Sequence, residues 1–148
     1  MAKNAKTSVT TKKQLVSLLN EDLQREFQAV IAYVNYSQVL KGAAYMNIAG
    51  ELEVHAGEEL KHALKLSYWI DLLGGMPAVT AKSVKTSEKA TDMLRFDLEN
   101  DKETIRNYRR RVKQADALDE FALSEDLRDI LLVTALGEDT PDPGIAAA

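Results

Sequence analysis

Residues 52–73 read LEVHAGEELKHALKLSYWIDLL, and the fold turns on this stretch. Leu52, Ala56, Ala63, Leu66 and Ile70 fall on one side of a helix with about 3.6 residues per turn. The same stretch holds Glu59-Leu60-Lys61-His62, where a carboxylate and an imidazole three positions apart share one helix face. Alone, Glu-x-x-His arises by chance on many solvated helices, so its weight depends on what surrounds it. The run starts near Ala43 and stops at Gly74-Gly75-Met76-Pro77, a strong helix terminator.

Three further helical runs flank this one. Upstream, Thr11-Lys12-Lys13-Gln14 fits a capping box. Leu15, Leu19, Leu23, Val30 and Val34 follow at helical spacing, with Phe27 beside them, up to Lys41-Gly42. Downstream, a run capped at Ser87 reaches Ala115 with Leu94, Leu98, Ile105, Tyr108 and Val112 on its stripe. Asp116 to Asp119 turns the chain into a fourth run that carries Phe121, Leu123, Leu127, Ile130 and Leu131 and ends near Gly137. Short turns at Gly42 and Asp116 make two helical hairpins. The segment from Gly74 to Thr86 can stretch ~43 Å at ~3.3 Å per residue. That is about the length of the long helical runs, at ~1.5 Å per residue. The expectation is an all-α, ferritin-like type of architecture: an antiparallel four-helix bundle with one long crossover and a shortened fourth helix. It occupies residues 11–137, between a disordered tail at 1–10 and a flexible tail at 138–148.

Composition narrows the function. The chain has 148 residues, 45% hydrophobic and 28% charged, which suits one domain with a real core. There is no cysteine, so disulfides, thiolate metal sites and cysteine nucleophiles are excluded. A net charge of -4 gives no footprint for nucleic acid, and no apolar block is long enough to span a membrane. The cytoplasm is the expected compartment. Arg109-Arg110-Arg111 with Lys113 reads as a solvated helix face, and Tyr68-Trp69 as core packing or a subunit contact.

A low-contrast repeat ties the hairpins together. The shift that lays Leu19 on Leu94 also lays Asp22 on Asp97, Glu26 on Asp101, Val30 on Ile105 and Tyr33 on Tyr108. Glu26 and Asp101 thus both sit on apolar stripes, where a lone carboxylate is costly without a cation, a proton or donors. Glu26 precedes the turn at Gly42 by almost the same stretch of chain as Glu59 follows it, so an antiparallel hairpin brings them level. Asp101 precedes the turn at Asp116 by a similar stretch, which puts it at a matching depth. Glu26, Glu59, His62 and Asp101 therefore converge on one layer as oxygen and imidazole donors suited to Fe, Mn or Zn. The bland alternative is a hydrogen-bonded polar core. Tyr33 and Tyr108 are placed to hydrogen-bond these ligands. His55, one turn before Glu59, reads as an extra ligand or, more simply, as a partly exposed polar residue.

As an ordered set these residues resemble the ferritin-like superfamily, nearest to bacterioferritin. Leu19-Asn20, Glu26 and Tyr33 resemble the first-helix signature, and Glu59-Leu60-Lys61-His62 resembles Glu-x-Lys-His of the second helix. Leu73-Gly74-Gly75-Met76-Pro77 resembles the family turn, and Met93-Leu94-Arg95 with Asp97-Leu98 the third-helix start. The resemblance implies a ferroxidase that binds two irons, oxidises Fe(II) with dioxygen or peroxide, and stores or detoxifies iron. It implies a homo-oligomer, a dimer or a larger shell. By resemblance Glu26 is a terminal ligand, Glu59 bridges, His62 completes the first iron, and Asp101 stands where a second terminal glutamate belongs.

Three departures qualify this. Asp101 is one methylene shorter than glutamate. The haem-ligating methionine corresponds to Leu60, so no haem is expected. The fourth helix lacks a second Glu-x-x-His: the repeat leads from Glu59 and His62 to Thr134 and Gly137, and alignment on Leu127-Arg128-Asp129 leads to Ile130 and Val133. Asp126 and Asp129 are near, but at the wrong height. The alternative reading is a ferritin-like metal-binding or interaction module, inactive because its site is incomplete, with room for one metal.

Overall fold

Thr11 opens the first helix reciprocally: its hydroxyl accepts the Gln14 N–H at 3.1 Å, and Gln14 Oε1 accepts the Thr11 N–H at 2.8 Å. The computed structural model describes residues 10–139. Within them α1 spans Lys12–Val39, α2 Met46–Leu72, α3 Ala90–Ala117 and α4 Phe121–Asp139, with a 3-10 turn at Ala43–Tyr45. The tails expected at the two ends lie, for residues 1–9 and 140–148, outside the described residues.

The boundaries differ from expectation in instructive ways. Ser87 is not the N-cap of α3; Lys89 is. Ser87 instead accepts the Lys89 N–H at 3.0 Å and hydrogen-bonds Asp92 at 2.9 Å, bracing the approach to the helix. The fourth helix is short, as expected, at 19 residues, but it begins at Phe121 and passes through Gly137 to Asp139. Asp119, at φ 57, occupies the left-handed position of the turn. Val34 and Phe121 belong to the expected inward stripes, yet they are 54% and 63% exposed. Beyond Glu26 the inward face of α1 passes instead through Ala32, Tyr33 and Tyr36 to the C-cap Leu40.

The crossover runs parallel to α1 and is tied to it by polar side chains one or two turns apart. Asn20 donates to Met76 O at 3.0 Å and accepts the Ala78 N–H at 2.8 Å. Gln24 reaches Thr80 at 2.7 Å, Gln28 reaches Ser83 O at 2.6 Å, and Tyr36 donates to Lys85 O. An irregular segment without its own ladder thus finds partners for its backbone. Because it travels the length of the bundle, α3 runs antiparallel to α1.

Gly75 shows how tightly the crossover leaves α2. A Cβ there would sit 2.3 Å from Val16 Cγ1 and 3.1 Å from Ile70 Cγ2, and valine is stiff at χ1. Gly75→Ala is expected to cost about 1–3 kcal/mol, read as a lower urea midpoint at unchanged slope.

The apolar interior divides into two clusters. The first joins residues of all four helices, among them Leu19, Leu66, Val112 and Leu127. The second joins Tyr36, Leu40, Ile48, Leu52, Met93 and Leu94, with nothing from α4 among the described residues. With 19 residues against 27–28 in the other three, α4 ends near the level where the clusters meet. The polar residues of the candidate site lie between them.

Candidate metal centre

Glu26 comes from the middle of α1, and Glu59 and His62 from neighbouring positions on one face of α2. Glu26 is 3% exposed and His62 6%. One potential ligand atom from each of Glu26, Glu59 and His62 lies within 4.8 Å of the other two. His62 Nδ1 stands 3.1 Å from Glu59 Oε2 and 3.7 Å from Glu26 Oε2. Tyr108, fully buried on α3, donates its hydroxyl to Glu26 Oε1. One Glu26 oxygen is therefore held by the phenol, and the other faces the imidazole.

The electrostatics follow from burial. Burial pushes the Glu59 carboxyl up, Glu26 beside it adds to the rise, and His62 opposes them; the result is about 8. Burial pulls His62 down, but hydrogen bonds and charge from Glu26 and Glu59 overcome it and hold the imidazole up at about 9. The metal-free site therefore stores protons at neutral pH. Burial, followed by Glu26, holds the Tyr108 phenol well above its usual value, so it remains a donor.

Among the described residues Asp101 is not one of this close group of three. Its Oδ1 accepts the Tyr33 hydroxyl at 3.4 Å. Burial first, then Asp97, Asp101 and Glu59, keep Tyr33 protonated. Asp97 enters this second acidic group, and its position one turn before Asp101 was the available signal. The two groups share a cavity of about 20 Å³ lined by Glu26, Tyr33, Glu59, Asp97, Asp101 and Thr134. That is room for one water or ion. A groove of about 1070 Å³ also reaches Tyr33, Glu59, Asp101 and Thr134, where α4 runs out.

The two fourth-helix alignments place different residues beside the site, and Val133 lines the wider groove next to Thr134. Thr134 lines the cavity, as the repeat expects of the position matching Glu59. Ile130 is 1% exposed in the apolar core and Val133 is 41% exposed. Asp126 accepts the Trp69 indole N–H at 2.7 Å, away from the layer, and Asp129 is exposed. Among residues with described side chains, α4 adds no acidic or histidine group to the cluster. His55 is half-exposed and paired with Glu58 at 2.9 Å.

The basic run on α3 needs one correction. Arg109 and Arg110 are exposed, but Arg111 is 5% exposed and paired with the equally buried Asp22.

The donors suit a first-row divalent metal: two carboxylates and one imidazole in a buried layer, with a cavity beside them. No helix among the described residues is long and apolar enough to cross a membrane. The family described as Ferritin-like domain matches residues 16–133. The chain is similar to the crystal structure of a ferritin-like, diiron-carboxylate protein from Bacillus anthracis str. Ames. Identity is 30% and the TM-score 0.84, over 86% of this chain and 92% of that one. No curated protein matches the chain. Sequence match, helical order and crossover agree, and the chain belongs to the ferritin-like family.

Proposed function

We propose that this protein binds Fe(II) through Glu26, Glu59 and His62 and oxidises it with dioxygen or peroxide, in the service of iron storage or detoxification. The observation that carries this is the buried cluster of three donors within 4.8 Å. Iron is favoured by the family and by the diiron-carboxylate protein to which the chain is similar. Carboxylate oxygens favour Fe(III) over Fe(II), so they lower the cost of giving up the electron. Glu59 would hold the ion from one helix face together with His62, and Tyr108 would keep Glu26 turned toward it. Asp101 would serve a second, weaker ion shared with Glu59, a reading supported by the cavity that both residues line. We therefore propose one tight iron per chain, in a homo-oligomer of the family type.

Oxidation is tested by loading the protein with Fe(II) without oxygen and then adding air or hydrogen peroxide. Formation of Fe(III) faster than in buffer, lost in Glu59→Gln, supports the ferroxidase reading. Oxidation at the buffer rate despite bound iron would sink it. The alternative, a metal-binding module without oxidation, would then hold; it is favoured by Thr134 standing where the repeat places a carboxylate.

Proton release gives an independent expectation. Glu59 at about 8 and His62 at about 9 must lose their protons to bind a cation. Metal uptake at pH 7 should therefore release protons, and affinity should rise with pH up to about 9. In the metal-free protein both folded values are raised above the unfolded ones. Their stabilising effect is full below about 4.5 for Glu59 and 6.5 for His62, and is lost as pH rises through 8 and 9. Metal-free stability should thus fall between about pH 5 and 9. Saturating metal should reverse the slope, as thermal unfolding with and without Co(II) will show.

A further inference from the structure

Two buried polar contacts join α1 to α3 about one turn apart. In one, Tyr108 donates to Glu26 Oε1. In the other, Arg111 Nε meets Asp22 Oδ2 at 2.7 Å and Arg111 Nη2 meets Asp22 Oδ1 at 3.3 Å. Asp22 lies one turn before Glu26, and Arg111 one turn after Tyr108, on antiparallel helices. Asp22 is 1% exposed and Arg111 5%. Arg111 Nη1 also donates to Gln114 Oε1 at 3.1 Å, so the guanidinium is held in plane from two sides.

Stability alone does not account for this pair. Two charges lose their hydration when buried, and apolar residues of similar volume often replace such pairs at no loss. What a guanidinium–carboxylate fork adds is direction. The Leu19 and Leu23 contacts around it are non-directional and tolerate sliding. A slip of one residue moves α3 about 1.5 Å along its axis, enough to take the Tyr108 hydroxyl off Glu26. We propose that Asp22 and Arg111 are positioning residues. They set the register of α1 against α3, so that Tyr108 holds one oxygen of Glu26 and leaves the other facing His62. This rests on the metal reading for its purpose, but not for its geometry.

The test replaces both partners at once, Asp22→Leu with Arg111→Met, so that no buried charge is stranded. A second variant, Arg111→Lys, keeps the charge and loses the fork. Two readouts are taken. One is the 19F spectrum of metal-free protein carrying 3-fluorotyrosine, with the Tyr108 line assigned by its loss in Tyr108→Phe. The other is the Co(II) dissociation constant from visible absorption. The double variant is expected to unfold at or above the wild-type temperature, to shift the Tyr108 line, and to bind Co(II) about 10- to 100-fold more weakly. In a Tyr108→Phe background the same replacement should cost nothing further. A folded double variant with an unmoved Tyr108 line or unchanged Co(II) affinity overturns the proposal. If the double variant does not fold, Arg111→Lys decides by the same two criteria. If the wild type binds no Co(II), the metal reading fails, and the Tyr108 line alone still decides whether the pair sets the register.

Discussion

Glu59→Ala is expected to abolish tight metal binding, weakening affinity by more than the ~100-fold at the upper end for loss of an outer hydrogen-bonding partner. Glu59 lies beside both other donors. It is 3.1 Å from His62 Nδ1, and its proton affinity is raised by burial first and then by Glu26. Without it, Glu26 and His62 offer two donors 3.7 Å apart and no oxygen between them. The same residue weighs against stability once it ionises, because it is a buried carboxylate facing another. Glu59→Gln keeps an acceptor for His62 and removes the charge. Metal-free Glu59→Gln should therefore outlast the wild type at pH 9, above the raised value of about 8, and match it near the ordinary value of 4.5. Each ~1 kcal/mol of gain would appear as roughly 2–4 °C in Tm for a chain of this size. An equal difference in midpoint at both pH values would show that Glu59 is not forced to hold its proton.

Thr134→Glu is expected to create a second tight metal position. Thr134 lines the same cavity as Glu26, Glu59 and Asp101, and the repeat that lays Leu19 on Leu94 lays Glu59 on it. Its hydroxyl donates to Ile130 O at 3.0 Å, a bond within its own helix. The groove along α4 gives a longer side chain space to rotate. A carboxylate there would join Glu59 and Asp101 on the same cavity. Co(II) stoichiometry should rise from one to two per chain, and Thr134→Gln, of similar size, should leave it at one. A stoichiometry of one in Thr134→Glu would mean that α4 is too far away to share a metal. The new carboxylate should also lower metal-free stability at high pH, as any further buried negative charge must.

The parts of this molecule that follow from local rules were legible in its sequence. The capping box at Thr11, the glycines at the turns and the helical stripes each depend on a few neighbouring residues, and they place all four helices. The level of Glu26 with Glu59 and His62 follows from counting along one hairpin. What escaped depends on contacts between distant segments. The Asn20–Gln24–Gln28 ladder is a polar stripe with no partner until the crossover lies on it. Arg111 belongs to a basic run that reads as solvated, and only the packing of α1 on α3 buries it against Asp22. Asp22 itself lies among Leu15, Leu19 and Leu23, the available sign that something cationic had to meet it. Asp101 lines the cavity beside Glu26 and Glu59, but the Tyr33 hydroxyl that reaches its Oδ1 at 3.4 Å comes from another helix, and counting along the second hairpin does not reveal it.

The most direct measurement is an anaerobic Fe(II) titration of the full chain, followed by equilibrium dialysis and pH-stat recording of released protons. One tight ion per chain, lost in Glu59→Ala and His62→Ala but retained in Asp101→Ala, with protons released at pH 7, is the expected result. No tight ion, or one that survives Glu59→Ala, would contradict the assignment of the site to Glu26, Glu59 and His62.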